Sequence, residues 1–326
     1  MLKRICWKKG MRLTDEILTA ADNSTSELVS SALVLAAAGR FGLFPSSHPF
    51  EISININKNM IDVESLNCLA ITKGGNLIDA KYDTMYSNTF DTRVAIPNAD
   101  EDEVFLLVIN AQKDEWRDTN DGYCEPVYSF GLISENSPLA DSAMPIARIV
   151  NEYGWRMDEV DFVPPCLYVS SHRKFGELCK QFLEVLHLID TNAEKQIHSD
   201  GRNAIRIFWP VVQQLLITME KELDLMTPMM LFANVQKCVS SFLCACTLDE
   251  YLSLSEPEQL QNYVRSPYNY KDVYKKIKEG LELCISISGK IEKFQEVNEV
   301  QPEKEKVAQP VKEEKYNRPG WNGIKI

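Results

Sequence analysis

The stretch Asp161-Phe162-Val163-Pro164-Pro165-Cys166-Leu167, continuing through Tyr168 and Val169 to Ser170 and Ser171, separates two kinds of sequence. Ahead of it the hydrophobic pattern repeats every two residues; behind it, every three or four. Successive prolines fix two φ angles and remove two backbone donors, and Val163, which precedes a proline, is pushed out of helical space. No regular element runs through such a point. Ser170 or Ser171 then offers an oxygen to cap the helix that begins at Phe175. The segment reads as a joint between a sheet domain and a helical one, with Phe162, Pro164 and Pro165 at its centre. A proline loop inside a single domain is the alternative. One fixed proline isomer, cis or trans, would set the angle between the two parts.

Upstream, Ser24-Thr25-Ser26-Glu27 has capping-box spacing and predicts a helix over Leu28 to Ala38, which Gly39 and Gly42 can end. Glu51 to Asn57 alternates strictly, as a half-buried strand does. Leu66 to Thr72 and Asn76 to Ala80 flank Lys73-Gly74-Gly75 and predict a hairpin. Val104 to Ile109 is a continuous apolar run too short for a buried helix and reads as a central strand. Val127 to Ser134 and Ile146 to Val150 continue a series of about eight short strands, the pattern of a β-sandwich.

Downstream, Phe175, Cys179, Phe182, Leu186 and Ile189 are spaced so that one seam faces a partner helix. The spacing recurs from Ile205 through Trp209, Val212, Leu216, Met219 and Leu223 to Met226, from Phe232 through Val235, Val239 and Phe242 to Cys246, and from Tyr274 through Ile277, Leu281, Cys284 and Ser288 to Ile291. Four such helices make a bundle. Pro210 either starts the second helix or kinks it. That helix carries Ile207, Phe208, Val211 and Leu215 beside its seam, more apolar residues than one seam uses, so these are candidate contacts with another subunit. The fold class is α+β multidomain: an arm (1–23), a β-sandwich (24–165), a helical bundle (166–296) and a tail (297–326).

The chain has 326 residues, 44% hydrophobic and 25% charged, which allows two cores. No run approaches a membrane span, and Met1 to Lys9 is followed by no apolar stretch of a signal peptide. A net charge of −12 offers no basic face to nucleic acid. The cysteines, among them Cys68, Cys166, Cys179 and Cys284, sit singly in apolar surroundings, as reduced cytoplasmic thiols do.

No catalytic set emerges. His48, His172, His187 and His198 pair with no nucleophile or second ligand, and His172 reads as an exposed first-turn residue. Cys238, Cys244 and Cys246 read as core packing, without a second pair at zinc spacing. Lys73-Gly74-Gly75-Asn76 lacks the remainder of a phosphate loop, and Gly39-Arg40-Phe41-Gly42 lacks a preceding strand. Asp100 to Glu103 with Asp114, Glu115, Asp118 and Asp121 does not match a calcium loop and reads as a solvated one. No enzyme activity, cofactor or metal is expected.

Both ends carry unabsorbed apolar residues. Trp7 and Met11 flank Gly10 before the first predicted helix and must be covered, by the edge of the chain's own sandwich or by a partner. From Ile291 the composition turns to Glu, Lys, Gln and Pro, predicting a disordered tail, yet Tyr316 to Ile326, with Trp321, regains aromatic character and is a candidate docking peptide.

Pro145-Ile146-Ala147-Arg148-Ile149, a gap of about a dozen residues and then Asp161 to Leu167 resemble the TssK family of type VI secretion baseplate proteins. Trp7, Gly10, Met11 and Leu13 are similar to the family's opening motif, Cys68 to Ala80 to its hairpin, and Tyr268 to Tyr274 to the entry of its last neck helix. The resemblance spans roughly residues 5 to 294. It implies a β-sandwich shoulder, a helical neck that holds three subunits together, and a non-catalytic adaptor role. The implied partners are the wedge proteins TssF, TssG and a TssE-like subunit, with the arm as a wedge contact. The implied location is the bacterial cytoplasm, peripheral to the inner membrane in the assembled machine. The family's membrane-contacting head should begin near Phe294, where this chain carries its charged tail, so the head is expected to be missing and any membrane-anchoring component to meet the tail. Lys8-Lys9 and Ile17-Leu18 also depart from the family pattern. A stand-alone oligomeric sandwich that binds a ligand or peptide is the alternative reading.

Overall fold

A computed structural model describes residues 8–83, 92–97, 103–118, 124–151, 154–197, 203–247 and 257–299. Helix α1 (Asp15–Ala36) begins at Thr14, whose hydroxyl accepts from the Ile17 amide at 3.4 Å with Asp15 and Glu16 in the first turn. The start is therefore well ahead of the Ser24 to Glu27 box, which lies inside the helix. There the Thr25 hydroxyl donates back to the Ala21 carbonyl at 3.0 Å, bonding along the helix instead of capping it.

Two antiparallel sheets follow. The first is built on β3 (Met60–Ile71), with β2 (Glu51–Asn57) and β1 (Gly42–Leu43) on one edge and β4 (Leu77–Asp83) and β5 (Arg93–Ala95) on the other. The second runs β7 (Cys124–Ser134), β6 (Phe105–Asp118), β8 (Ala143–Asn151), β9 (Trp155–Met157). The Glu51 to Asn57 strand and the hairpin about Lys73 to Gly75 are as the alternation predicts. Strands β1, β5 and β9 have only two or three residues each, too few to show a period.

Strand β6 is central, as its apolar run requires, but it continues past Ile109 through Asp114, Glu115 and Asp118. Its pairing with β8 ends at Asn110, whereas pairing with β7 resumes at Trp116 after an irregularity. Beyond Asn110 only β7 pairs with it, and Asp114, Glu115 and Asp118 lie within the strand and not in the expected loop. Asp100 and Asp121 lie outside the described residues.

The helical part comprises α2 (Arg173–Gln196), α3 (Asn203–Lys221), α4 (Pro228–Cys246), α5 (Pro257–Arg265) and α6 (Val273–Glu299). The predicted seams are its core: Phe182, Leu186, Ile189, Val212, Met219, Val235, Val239, Ile277, Cys284 and Ile291 are all buried. Trp209 is half-buried and its indole donates to Asp190 Oδ1 at 2.7 Å. Helix α3 runs through Pro210, and Leu223 falls in a separate 3-10 turn. The short α5, with only Leu260 and Tyr263 buried, shows no seam long enough to predict. Among the described residues α4 is long and apolar enough to cross a bilayer, contrary to expectation; eight of its residues face the bundle core. Cys238 is buried there, Cys246 is partly buried, and Cys244 is exposed, not packed as expected.

Buried residues of the sheets and of the bundle belong to one contiguous cluster, from Leu43 and Ile61 through Phe175 to Ile291. The predicted tail begins inside α6, which continues to Glu299, and residues 300–326 lie outside the described residues.

Candidate docking surfaces

The joint is a buried strap. Phe162 is 4% exposed, and Pro164 and Pro165 are buried with it, both in trans linkage. A cis bond, left open by the sequence, is not used. The strap is stitched to both layers. The Leu43 amide donates to the Pro165 carbonyl at 2.8 Å, and the Leu167 amide donates to the Leu43 carbonyl at 3.0 Å. The Val169 amide donates to Met226 between α3 and α4 at 2.8 Å. Gly42 is what lets the strap lie so close: its φ is +135°, and a Cβ there would overlap the Pro165 carbonyl and stand 2.6 Å from Cys166 N.

Charged groups fix the strap's ends. Arg148 of β8 reaches Glu135 at 3.1 Å and Asp158 at 3.4 Å, while Asp158 Oδ1 accepts from the amides of Val160 and Asp161. Asp161 in turn meets Lys278 at 3.2 Å and Lys275 at 3.6 Å on α6. Burial pushes the Asp161 carboxyl upward, but the two ammonium groups outweigh it and hold its pKa below the ordinary value. Sequence reading missed Arg148 and Asp161 as anchors because their partners come from distant segments. The only local signal was their presence in the two stretches flanking the joint.

Ser170 and Ser171 do not cap α2. The Ser171 hydroxyl accepts from the Tyr168 amide at 3.3 Å within a 3-10 turn, and α2 begins at Arg173, two residues ahead of the expected Phe175. His172 is the cap, its Nδ1 accepting from the Lys174 amide at 3.2 Å, and it is half-buried beside Phe50. Burial first, then the Lys174 charge, lowers its pKa to about 4, against a smaller opposing effect of Glu177. It is half-buried, not exposed as its first-turn position suggested. Burial also pushes the Cys68 thiol up to about 12 and Cys179 up to about 11, as inert packing thiols require.

Among the described residues, two apolar surfaces bear on docking. Along α1, the side chains of Val29 and Leu33 with Leu77, Pro126 and Tyr128 line a groove of about 340 Å³. On the outer face of α3, Ile207 is 50% exposed and Val211 half-buried. Phe208 and Leu215, expected to face another subunit, are each 1% exposed and lie inside the chain's own bundle, where Phe208 meets Phe242 edge-on at 5.4 Å. The helix rotation that buries Ile205 and Val212 carries these two inward with them.

Gly10 is exposed, with a φ of +84°, and Met11 is 36% exposed. Trp7, Tyr316 and Trp321 lie outside the described residues. No group of three or more metal-ligating side chains occurs among the described residues.

No protein-family model matches the chain, and no curated protein matches its sequence. Solved structures do match its fold. A crystal structure of TssK is 12% identical with a TM-score of 0.60, the match covering 88% of this chain and 69% of that one. TssK from the type VI secretion system of EAEC, in complex with a nanobody, is 15% identical with a TM-score of 0.54, covering 83% and 68%. A chain of the type VI secretion TssK-TssF-TssG baseplate subcomplex, seen by cryo-electron microscopy, is 14% identical with a TM-score of 0.56, covering 88% and 99%. The chain thus has the fold of type VI secretion TssK proteins, shared over both sheets and the bundle.

Proposed function

We propose that this chain is a structural, non-catalytic adaptor of a type VI secretion baseplate. It assembles as a homotrimer through the helical bundle and binds wedge proteins of the TssF, TssG and TssE type. The observation that carries this reading is the likeness in fold to a chain of the TssK-TssF-TssG subcomplex over 88% of the sequence. The exposed Ile207, with the half-buried Val211 one turn on, supports a contact between bundles. The strap fixes sandwich against bundle, which suits a part that transmits position and not a substrate. Phe162, Pro164 and Pro165 are its geometric determinants, and Trp7, Gly10 and Met11 are candidate wedge contacts. Tyr316 and Trp321 are the candidates for a membrane-anchoring partner, reached from the cytoplasmic face of the inner membrane.

The test is to purify the chain with the products of its neighbouring genes and measure which co-elute and at what mass. A trimer with TssF- and TssG-like proteins attached is expected; a lone monomer at micromolar concentration would overturn the reading. A version ending at Phe294 should keep the trimer and lose one partner. The groove along α1 favours the second reading, a stand-alone oligomeric sandwich that binds a ligand or peptide. That reading gains if no neighbour co-elutes while an apolar peptide raises the melting temperature.

A further inference from the structure

The connection from α1 to β1, the strap, the start of α4 and the turn ahead of α6 meet at one small cleft. Arg40 and Phe41 come from the first, Cys166 from the second, Met229 from the third, and Tyr268 and Tyr270 from the fourth. Its volume is about 160 Å³. Pockets for cofactors and drug-sized ligands run to about 300–1,000 Å³, so this one has the size for a single large side chain. Its walls are apolar: Phe41 meets Tyr270 edge-on at 5.1 Å, and Met229 and Tyr268, 50% and 41% exposed, stand at the mouth.

The polar groups still free in it are donors. Arg40 Nε donates to the Ala37 carbonyl at 2.9 Å and the guanidinium lies over the Tyr168 ring at 5.6 Å, which holds the group in place. Both of its Nη groups are without a hydrogen bond or an ion pair among the described residues, and so is the Tyr268 hydroxyl. Burial, and after it Cys166, raises the Tyr268 pKa to about 12 against the opposing charge of Arg40, so at neutral pH the phenol keeps its proton and can donate it. The acceptors are engaged: the Pro165 carbonyl receives the Leu43 amide, and the Thr227 hydroxyl receives the Met230 amide at 3.1 Å. Glu135, whose charge is felt at Tyr270, is paired with Arg148 at 3.1 Å. A positioned guanidinium without a counter-charge calls for an anion, and the apolar walls call for one that arrives beside an apolar group.

We propose that this cleft receives an acidic segment of a partner protein, an aspartate or glutamate next to a bulky apolar side chain. The apolar side chain fills the space between Phe41, Met229 and Tyr270, and the carboxylate takes both Nη groups of Arg40, with the Tyr268 hydroxyl as a third donor. Arg40 and Phe41 lead into the first sheet, whereas Met229 and Tyr268 belong to the helical part, so the occupant bridges the two beside the strap. The cleft is formed within one chain, and the inference stands whether or not the baseplate reading does.

The probe is the blocked peptide acetyl-Gly-Leu-Asp-Phe-Gly-amide, titrated into the full chain and followed by calorimetry and by the Met229 methyl resonance. Saturable binding that shifts this methyl is expected. It should be about tenfold weaker for the same peptide with asparagine in place of aspartate, and about tenfold weaker for Arg40→Gln. Added salt should weaken the aspartate peptide more than the asparagine one. Because Arg40→Gln also loses contacts within the fold, Met229→Glu serves as the second variant. At its exposed position it should leave the melting temperature unchanged, while its carboxylate pairs with Arg40 and blocks the peptide. Equal binding of the two peptides, undiminished binding to Met229→Glu, or no saturable binding at millimolar peptide would overturn the proposal. So would a Met229 resonance that moves when the chain alone is diluted, which would assign the cleft to a second copy.

Discussion

The Leu43 amide and the Pro165 carbonyl, 2.8 Å apart, tie the shortest strand of the first sheet to the strap that leads into the helices. A residue that follows directly on the strand-leading Gly42 thus supplies the donor for a carbonyl more than a hundred residues later in the chain. Because Leu43 is 1% exposed, both groups would be left without water if the contact opened.

Gly42→Ala should therefore be severely destabilising. Positive φ disfavours any side chain, and the new methyl would collide with backbone, which cannot rotate away as a side chain can. A loss of about 3 kcal/mol or more is expected in denaturant unfolding. A loss below 1 kcal/mol would mean that the strap moves freely.

Replacing both Pro164 and Pro165 by alanine should act differently, loosening the angle between sandwich and bundle while each keeps its secondary structure. Small-angle scattering should show a broader particle with unchanged circular dichroism. An unchanged scattering profile would remove the prolines as geometric determinants.

Asp161→Asn should remove both ion pairs to α6, at a cost of about 1 kcal/mol or less because the groups are partly solvated. The pKa of Asp161 is lowered in the fold, so its stabilisation is present above the unfolded value of about 3.9 and is lost as pH falls through the folded value. The melting temperatures of the parent and the variant should converge at that acid end.

His172 gives a second acid-sensitive window. Its folded pKa of about 4 lies below the unfolded value of about 6.5, so the unfolded chain binds more protons between them. Stability is full above that upper value and declines as pH falls toward the lower one. His172→Ser, which keeps a capping oxygen without the titration, should flatten the melting temperature across this window; an unchanged slope would remove His172 as the source.

Ile207→Asp and Phe208→Ala should separate assembly from folding. Truncating the buried Phe208 should cost about 3–5 kcal/mol in the subunit itself. The exposed Ile207 should barely alter subunit stability, yet a charge there should dissociate the proposed trimer, read by light scattering. A trimer that survives Ile207→Asp would move the contact to another face.

Alternation was enough for the strand from Glu51 to Asn57, the glycine turn for the hairpin about Gly74, a short continuous apolar run for the central strand from Phe105, and spacings of three and four for the long helical seams. Each is a local signal. The proline pair likewise marked the change from sheet to helix, since its backbone restrictions are local. What the sequence could not disclose depended on neighbours far along the chain. Whether Phe208 and Leu215 turn inward depends on the rotation of α3 against α4. Whether Asp114 and Glu115 lie in a strand depends on β7 continuing beside them. Whether His172 or a serine caps α2 depends on a 3-10 turn that consumes the serine first. Side-chain period fixes which residues share a face, but only the packed arrangement of segments decides what that face meets, and that is why Leu43 meeting Pro165 was invisible until the chain was folded.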